Sequence, residues 1–355
     1  MLMAFLPMFL HAQTNGDDAR QRIETTARLL AKSYNHETGL FDGTGWWNSA
    51  NGITALVNAS RALRTSEFDS LFANTFVQAQ RKNPGFLNEF YDDEGWWALA
   101  WLDLYELRGG KRYLEASQAI FKDMTGGWSE TCGGGIWWKK NERYKNAIAN
   151  ELFLALAMRL AADSSSGKRA GYLDWARKEE RWFVGSGMIN GDGLINDGLD
   201  ASCHNNQKTT WSYNQGVILP ALAGMAKQGH ETDSLRLANR IAEAVSHHLV
   251  DGNGILHDPC EPQCGADGVQ FKGILVRNLA ALQGDSPSPR IASLLHANAE
   301  SVWAKARSED GRFSVDWSGP AQDSGTGGLI SALDALTAPL FVSEDALKRE
   351  KHSRR

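Results

Sequence analysis

The sequence predicts an all-α fold, an (α/α)6 barrel in which six helical hairpins close into a ring of six inner and six outer helices. Three observations lead there. Long stretches repeat apolar residues at helical spacing, and no run alternates apolar with polar residues as a half-buried strand would. The third is a loop-to-helix junction that recurs six times, combining glycine with an aromatic or amide residue ahead of an apolar helix. In chain order the junctions are GTGWWNSANGITAL from Gly43, YDDEGWWALAWLDL from Tyr91, WWKKNERYKNAIANELFL from Trp137, TTWSYNQGVILPAL from Thr209, VQFKGILVRNLAAL from Val269 and DSGTGGLISALDAL from Asp323. Successive junctions lie about one helical hairpin apart. Their uneven period and few shared positions argue against an open solenoid. A closed ring would gather all six junction loops at one end, and that end is the expected site.

The chain opens with MLMAFLPMFLHAQ, apolar through Leu10 and then small at Ala12. Residues 1–12 read as a secretory signal segment, although no positive charge precedes the apolar run. The run is too short for a membrane span, and no other stretch reaches the ~18 apolar residues a span needs. Two helices are the clearest. Over Asn146–Ala162, Ile148, Leu152, Leu156 and Leu160 recur every four residues, and Leu235–Val250 carries Leu237, Ile241, Ala244, Val245 and Leu249. SSSGKRAG at Ser164 and GDSPSPR at Gly284 read as surface connections, so residues 13–345 are expected to form a single domain. The basic stretch 346–355 reads as a solvated helix end.

Composition narrows the partners. The 35 glycines call for many tight connections, and the 13 tryptophans must fill cores or line grooves where a flat apolar ring can face a sugar. A net charge of −5 without a basic stripe excludes a nucleic-acid partner. The cysteines fit an oxidising compartment: CEPQC sets Cys260 and Cys264 around Pro262 for a local disulfide, which leaves Cys132 to pair with Cys203. Zinc lacks a second close Cys or His pair. The acid- and amide-rich loop Gly191–Gln207 departs from EF-hand spacing, so it reads as sugar-facing rather than calcium-binding. No metal or cofactor is expected, and the mature protein is expected to be a soluble, secreted monomer.

The chemistry points to YDDEGWW. Adjacent aspartates most often cap a helix. Here they precede Gly95 and two tryptophans, which changes what they can do. Cleaving a glycosidic bond requires one ionised carboxylate and one carboxylic acid flanking the same bond. Close carboxylates raise one another's pKa, and desolvation by Trp96 and Trp97 would raise it further. So short a connection suits the closer carboxyl spacing of retaining enzymes.

These residues, together with CGGGIWW at Cys132, KNAIANELFLALAMRLA at Lys145, WSYNQGVILPAL at Trp211 and QFKGILVRNL at Gln270, resemble glycoside hydrolase family 76, the endo-α-1,6-mannanases and their fungal cell-wall relatives. The resemblance spans nearly the whole chain beyond the leader, with Ser212 standing where the family often has Thr. It implies an (α/α)6 barrel, hydrolysis within α-1,6-mannan by a retaining mechanism without metal or cofactor, Asp92 as nucleophile and Asp93 as acid/base. Sugar contacts are expected from Trp46, Trp47, Asn48, Trp96, Trp97, Trp137, Trp138, Trp211, Tyr213, Asn214 and Lys272, with one tryptophan of each doublet packed inward because neighbours on a helix point about 100 degrees apart. A transglycosidase would use the same aspartates, passing the mannosyl unit to a sugar hydroxyl. The charged C-terminus KREKHSRR favours a free hydrolase over an anchored relative, and the intact aspartate pair disfavours a non-catalytic mannan-binding protein.

Overall fold

The computed structural model describes residues 6–229 and 231–353, with side chains placed over 18–229 and 231–342. The helices are α1 (Leu6–Lys32), α2 (Trp46–Leu63), α3 (Asp69–Gln78), α4 (Tyr91–Arg108), α5 (Lys111–Thr125), α6 (Ala147–Ala162), α7 (Ser166–Gly185), α8 (Ser212–Gly224), α9 (Thr232–His248), a single turn α10 (Gly265–Gly268), α11 (Phe271–Asp285), α12 (Pro289–Ala304) and α13 (Gly325–Ser353). One small antiparallel hairpin pairs Tyr34 with Phe41.

The ring closes as the periodicity predicts. Helices α2, α4, α6, α8, α11 and α13 pack each on the next, and α13 returns to α2. Outside them, α1 lies against α13 and α2, α5 against α4, α7 against α6, α9 against α8 and α12 against α13. Phe76 brings α3 onto Trp101 of α4, with ring centroids 5.1 Å apart. Inner helices touch neighbours on every side, so α6 buries nearly every residue from Ala147 to Leu160. The outer α9 buries one stripe, including Leu237, Ile241, Ala244 and Val245.

Each of the six junction strings leads into an inner helix. What pins the loops is a side-chain amide reaching back from the helix that follows. Asn150 of α6 accepts from the Ile136 N–H at 2.7 Å and donates to its carbonyl at 3.1 Å. Gln215 of α8 does the same for Ile195, at 2.7 and 2.8 Å. Both isoleucines are buried, so without the amide their backbone groups would lose their partners away from water. The acid- and amide-rich loop Gly191–Gln207 satisfies itself likewise: Asn190 and Asn205 donate to Asn196 Oδ1, and Asp200 Oδ1 accepts from the Ser202 and His204 N–H groups. These bonds fix the loop's own backbone turns.

Two features fall at the chain ends. The stretch Gly325–Val342 of α13 is long and apolar enough to cross a membrane by length and composition, contrary to the expectation that no further stretch would be. Its 67% burial explains the composition: it is an inner helix packed against α2, α11 and α12. Of the segment read as a signal, residues 1–5 lie outside the described residues, while the backbone of 6–12 begins α1. Backbone helix also continues through Lys348–Ser353 of the basic stretch. Disulfides join Cys132 to Cys203 and Cys260 to Cys264.

Candidate active site

The aspartate pair lies in the first turn of α4, past the N-cap residue Phe90. Each carboxyl takes a side-chain donor from a loop. Trp138 Nε1 donates to Asp92 Oδ2 at 2.9 Å, and the buried Oδ1 of Asp92 has no partner. Asn88 Nδ2 donates to Asp93 Oδ2 at 2.6 Å.

Both donors are themselves fixed. Asn88 forms an Asx turn, accepting from the Phe90 N–H at 2.8 Å, and its own N–H donates to the buried Glu94 at 3.0 Å. Lys140 holds Glu94 at 2.7 Å and reaches Asp123 at 2.7 Å. Burial raises the Glu94 carboxyl, and the Lys140 ammonium draws it back. Trp138 is tied to the start of α4 by the Tyr91 N–H, which donates to its carbonyl at 3.0 Å.

Burial, and after it the charge of Asp93, pushes Asp92 up to about 8. Burial likewise pushes Asp93 up to about 6; Asn88 opposes the rise, while Asp267 and Glu89 add to it. Between those values the pair holds one proton, and it rests on Asp92, the carboxyl whose ionisation burial opposes more strongly.

Aromatic rings stack inward from the same end of the barrel. Contrary to the expected sugar contact, Trp96 is itself 3% exposed and lines the cavity shared with Arg61, Glu106 and Arg159 near the far ends of the inner helices. Trp47 stacks with Trp96 at 5.7 Å, Trp96 with Tyr213 at 6.4 Å, and Tyr213 with Phe271 at 3.9 Å between centroids. Trp211 meets Phe271 edge-on at 5.5 Å. Burial raises the Tyr213 hydroxyl well above its ordinary value, and the charges of Asp92, Asp197, Glu151 and Asp267 add to that. Asn48 is buried and directs Nδ2 at Ala266 O and Asp267 Oδ1, both at 3.4 Å. Asn214 is fully buried with neither amide atom partnered.

The tryptophan doublets divide their work. Trp97 is fully buried among Trp46, Phe86 and Trp101, so the structure places it in the core and not in the cleft. Trp46 leans on Trp97 at 4.9 Å, while Trp47 takes the cleft side. Trp137 lies over the Lys145 ammonium at 4.0 Å, and Trp138 addresses Asp92. Lys272 departs most from the expected sugar contact. It is 1% exposed, ion-paired with Glu261, and donates to the Leu256 carbonyl at 2.9 Å. Its four-carbon stem turns inward because a buried carboxylate and carbonyl await it there. Among the described residues, His257, Glu261 and Asp316 bring potential metal ligands within 4.8 Å of one another, but the Lys272 ammonium already neutralises Glu261.

Residues that sequence reasoning missed include Asn88, Asp267 and Phe271. Asn88 had a local signal, an Asx-turn residue just ahead of the pair. Asp267 had none, since it meets Trp47 across 220 residues of chain.

Paired acids below a bank of aromatic rings suit the breaking of glycosidic bonds, and the chain is a glycoside hydrolase. Its sequence matches the profile of glycosyl hydrolase family 76 over residues 18–351, so that is the family to which the chain belongs. It is 25% identical over 327 residues to a putative mannan endo-1,6-alpha-mannosidase of Schizosaccharomyces pombe, covering 84% of this chain and 73% of that protein. It is 24% identical over 352 residues to the mannan endo-1,6-alpha-mannosidase DFG5 of Saccharomyces cerevisiae, covering 89% and 76%. Among solved structures, an inactive variant of an alpha-1,6-mannanase of Salegentibacter sp. HEL1_6 in complex with alpha-1,6-mannotriose superposes with a TM-score of 0.82 at 22% identity, over 91% of this chain and 99% of that one. Dfg5 from Chaetomium thermophilum in complex with glucosamine gives 0.83 at 21% identity, over 92% and 90%. At these identities the structural likeness establishes the fold, an (α/α)6 barrel.

Proposed function

We propose that the protein is a secreted, retaining, endo-acting α-1,6-mannanase in which Asp92 is the nucleophile and Asp93 the acid/base. The observation that carries the assignment is the unpartnered Oδ1 of Asp92, buried beside a second carboxyl that can hold the shared proton. Trp138 favours the ionised form of Asp92 by donating to Oδ2, and it leaves Oδ1 free to attack. The names of the relatives support the substrate class, and two disulfides with no free cysteine support an oxidising, extracellular compartment.

The free pair carries its proton on Asp92, so on this reading substrate binding transfers it to Asp93, next to the glycosidic oxygen, before the bond breaks. Asp92 Oδ1 bonds to the anomeric carbon as the bond to the leaving oxygen breaks, and Asp93 gives that oxygen its proton. Water then attacks the glycosyl-enzyme and surrenders a proton to Asp93, which frees Asp92. A sugar hydroxyl in place of water would make the same machinery a transglycosidase, and product analysis separates the two.

Incubation with debranched α-1,6-mannan should release mannooligosaccharides whose first-formed reducing end, followed by proton NMR, is the α anomer. A β anomer appearing first would rule out double displacement. Trp138→Phe removes the donor to Asp92 and keeps an aromatic ring. With less to stabilise its charge, Asp92 would ionise at higher pH, so the acid limb of kcat/KM should move upward and kcat fall by about ten- to a hundredfold. An unchanged acid limb would mean that Trp138 does not govern the nucleophile.

A further inference from the structure

Asp267 stands apart from the aspartate pair in sequence, yet it shares the cleft. It belongs to α10, the single turn ahead of α11, and the Cys260–Cys264 disulfide packs directly against that turn. A β-carbon at the adjoining Gly268 would lie 3.0 Å from Cys260 Sγ and 2.9 Å from Cys264 Cβ, so the backbone around Asp267 is seated closely on the disulfide.

Only one of its oxygens is in use. Oδ1 accepts from Trp47 Nε1 at 3.0 Å and from Asn48 Nδ2 at 3.4 Å. The residue is exposed, and among the described residues no protein group donates to Oδ2. No lysine or arginine pairs with it either, whereas the exposed Asp69, Asp310 and Asp323 each meet an arginine. The charges that raise Asp93 include Asp267 first and then Glu89, both acidic. A fixed carboxylate beside a stacked indole offers a sugar both apolar contact for its C–H face and a charged acceptor for its hydroxyls.

We propose that Asp267 is a substrate-binding, specificity-determining residue: Oδ1 positions Trp47 and Asn48, and the free Oδ2 accepts a hydroxyl of the mannosyl unit lying against Trp47. Its charge also helps Asp93 remain in the acid form. The inference rests on the mannanase reading above.

The test compares full-length wild type with Asp267→Asn, which keeps an oxygen acceptor for Trp47 and Asn48 but removes the charge, and with Asp267→Ala, which removes both. On debranched α-1,6-mannan, Asp267→Asn should raise KM about tenfold with a smaller change in kcat. The alkaline limb of its kcat/KM profile should move to lower pH, because Asp93 then loses its proton sooner. Binding of α-1,6-mannotriose, measured by calorimetry in an Asp92→Asn background, should weaken by about tenfold in Asp267→Asn. If Asp267→Asn leaves KM, the pH limb and mannotriose binding unchanged, the inference is overturned, and an impaired Asp267→Ala would then mark a mere prop for Trp47. A wild type that binds mannotriose through Asp267 but cleaves no mannan would sink the mannanase reading and leave this contact standing.

Discussion

Asp92→Asn is expected to cut hydrolysis of debranched α-1,6-mannan by about 10⁴-fold or more while the protein remains folded. The substitution removes the one group able to form the glycosyl intermediate, and the amide nitrogen that replaces an oxygen cannot take its place. The fold should tolerate the change. The amide carbonyl can still accept from Trp138 Nε1, and a neutral group replaces a carboxyl whose ionisation is opposed by burial. Thermal unfolding followed by circular dichroism should therefore shift little. Mannan hydrolysis within about tenfold of wild type would exclude Asp92 as nucleophile.

Asp93→Ala should divide substrates by leaving group. A mannan glycosidic oxygen departs as a poor leaving group unless protonated, so loss of the proton donor should lower the rate on mannan by about 10³-fold. An aryl α-mannoside with an acidic phenol needs little protonation and should lose only about tenfold in formation of the intermediate. The pre-steady-state burst of phenol would show this directly, because hydrolysis of the intermediate also lacks its base and the intermediate accumulates. Equal losses on both substrates would remove Asp93 from the acid role.

Much of the architecture was legible because helical periodicity and junction chemistry are local properties. Apolar residues repeating through Ile148, Leu152, Leu156 and Leu160 identify α6 without knowledge of its neighbours. Two of the junction strings carry the amide that clamps the preceding loop: Asn150 and Gln215 reach backbone 14 and 20 residues earlier in the chain. The aspartate pair was conspicuous for a similar reason, being contiguous. What could not be read were the directions of side chains with two acceptable environments. A tryptophan satisfies a core as well as a sugar, and only ring closure sends Trp97 into the core and leaves Trp47 for the cleft. Lys272 follows the same rule, since its buried partner Glu261 comes from a loop that sequence alone does not fold back onto α11. Asp267 joins Trp47 only because the first and fifth inner helices become neighbours of the same cleft.

The six inner helices begin at the end of the ring that carries Asp92, Asp93 and Asp267. Among the described residues none of these three forms an ion pair with lysine or arginine. Each helix start carries roughly half a positive charge from its unpaired backbone N–H groups, so the main chain itself supplies a diffuse counter-field. That field tempers carboxylate repulsion without fastening any acid to a fixed cation, which would hold it permanently ionised and end its exchange of protons.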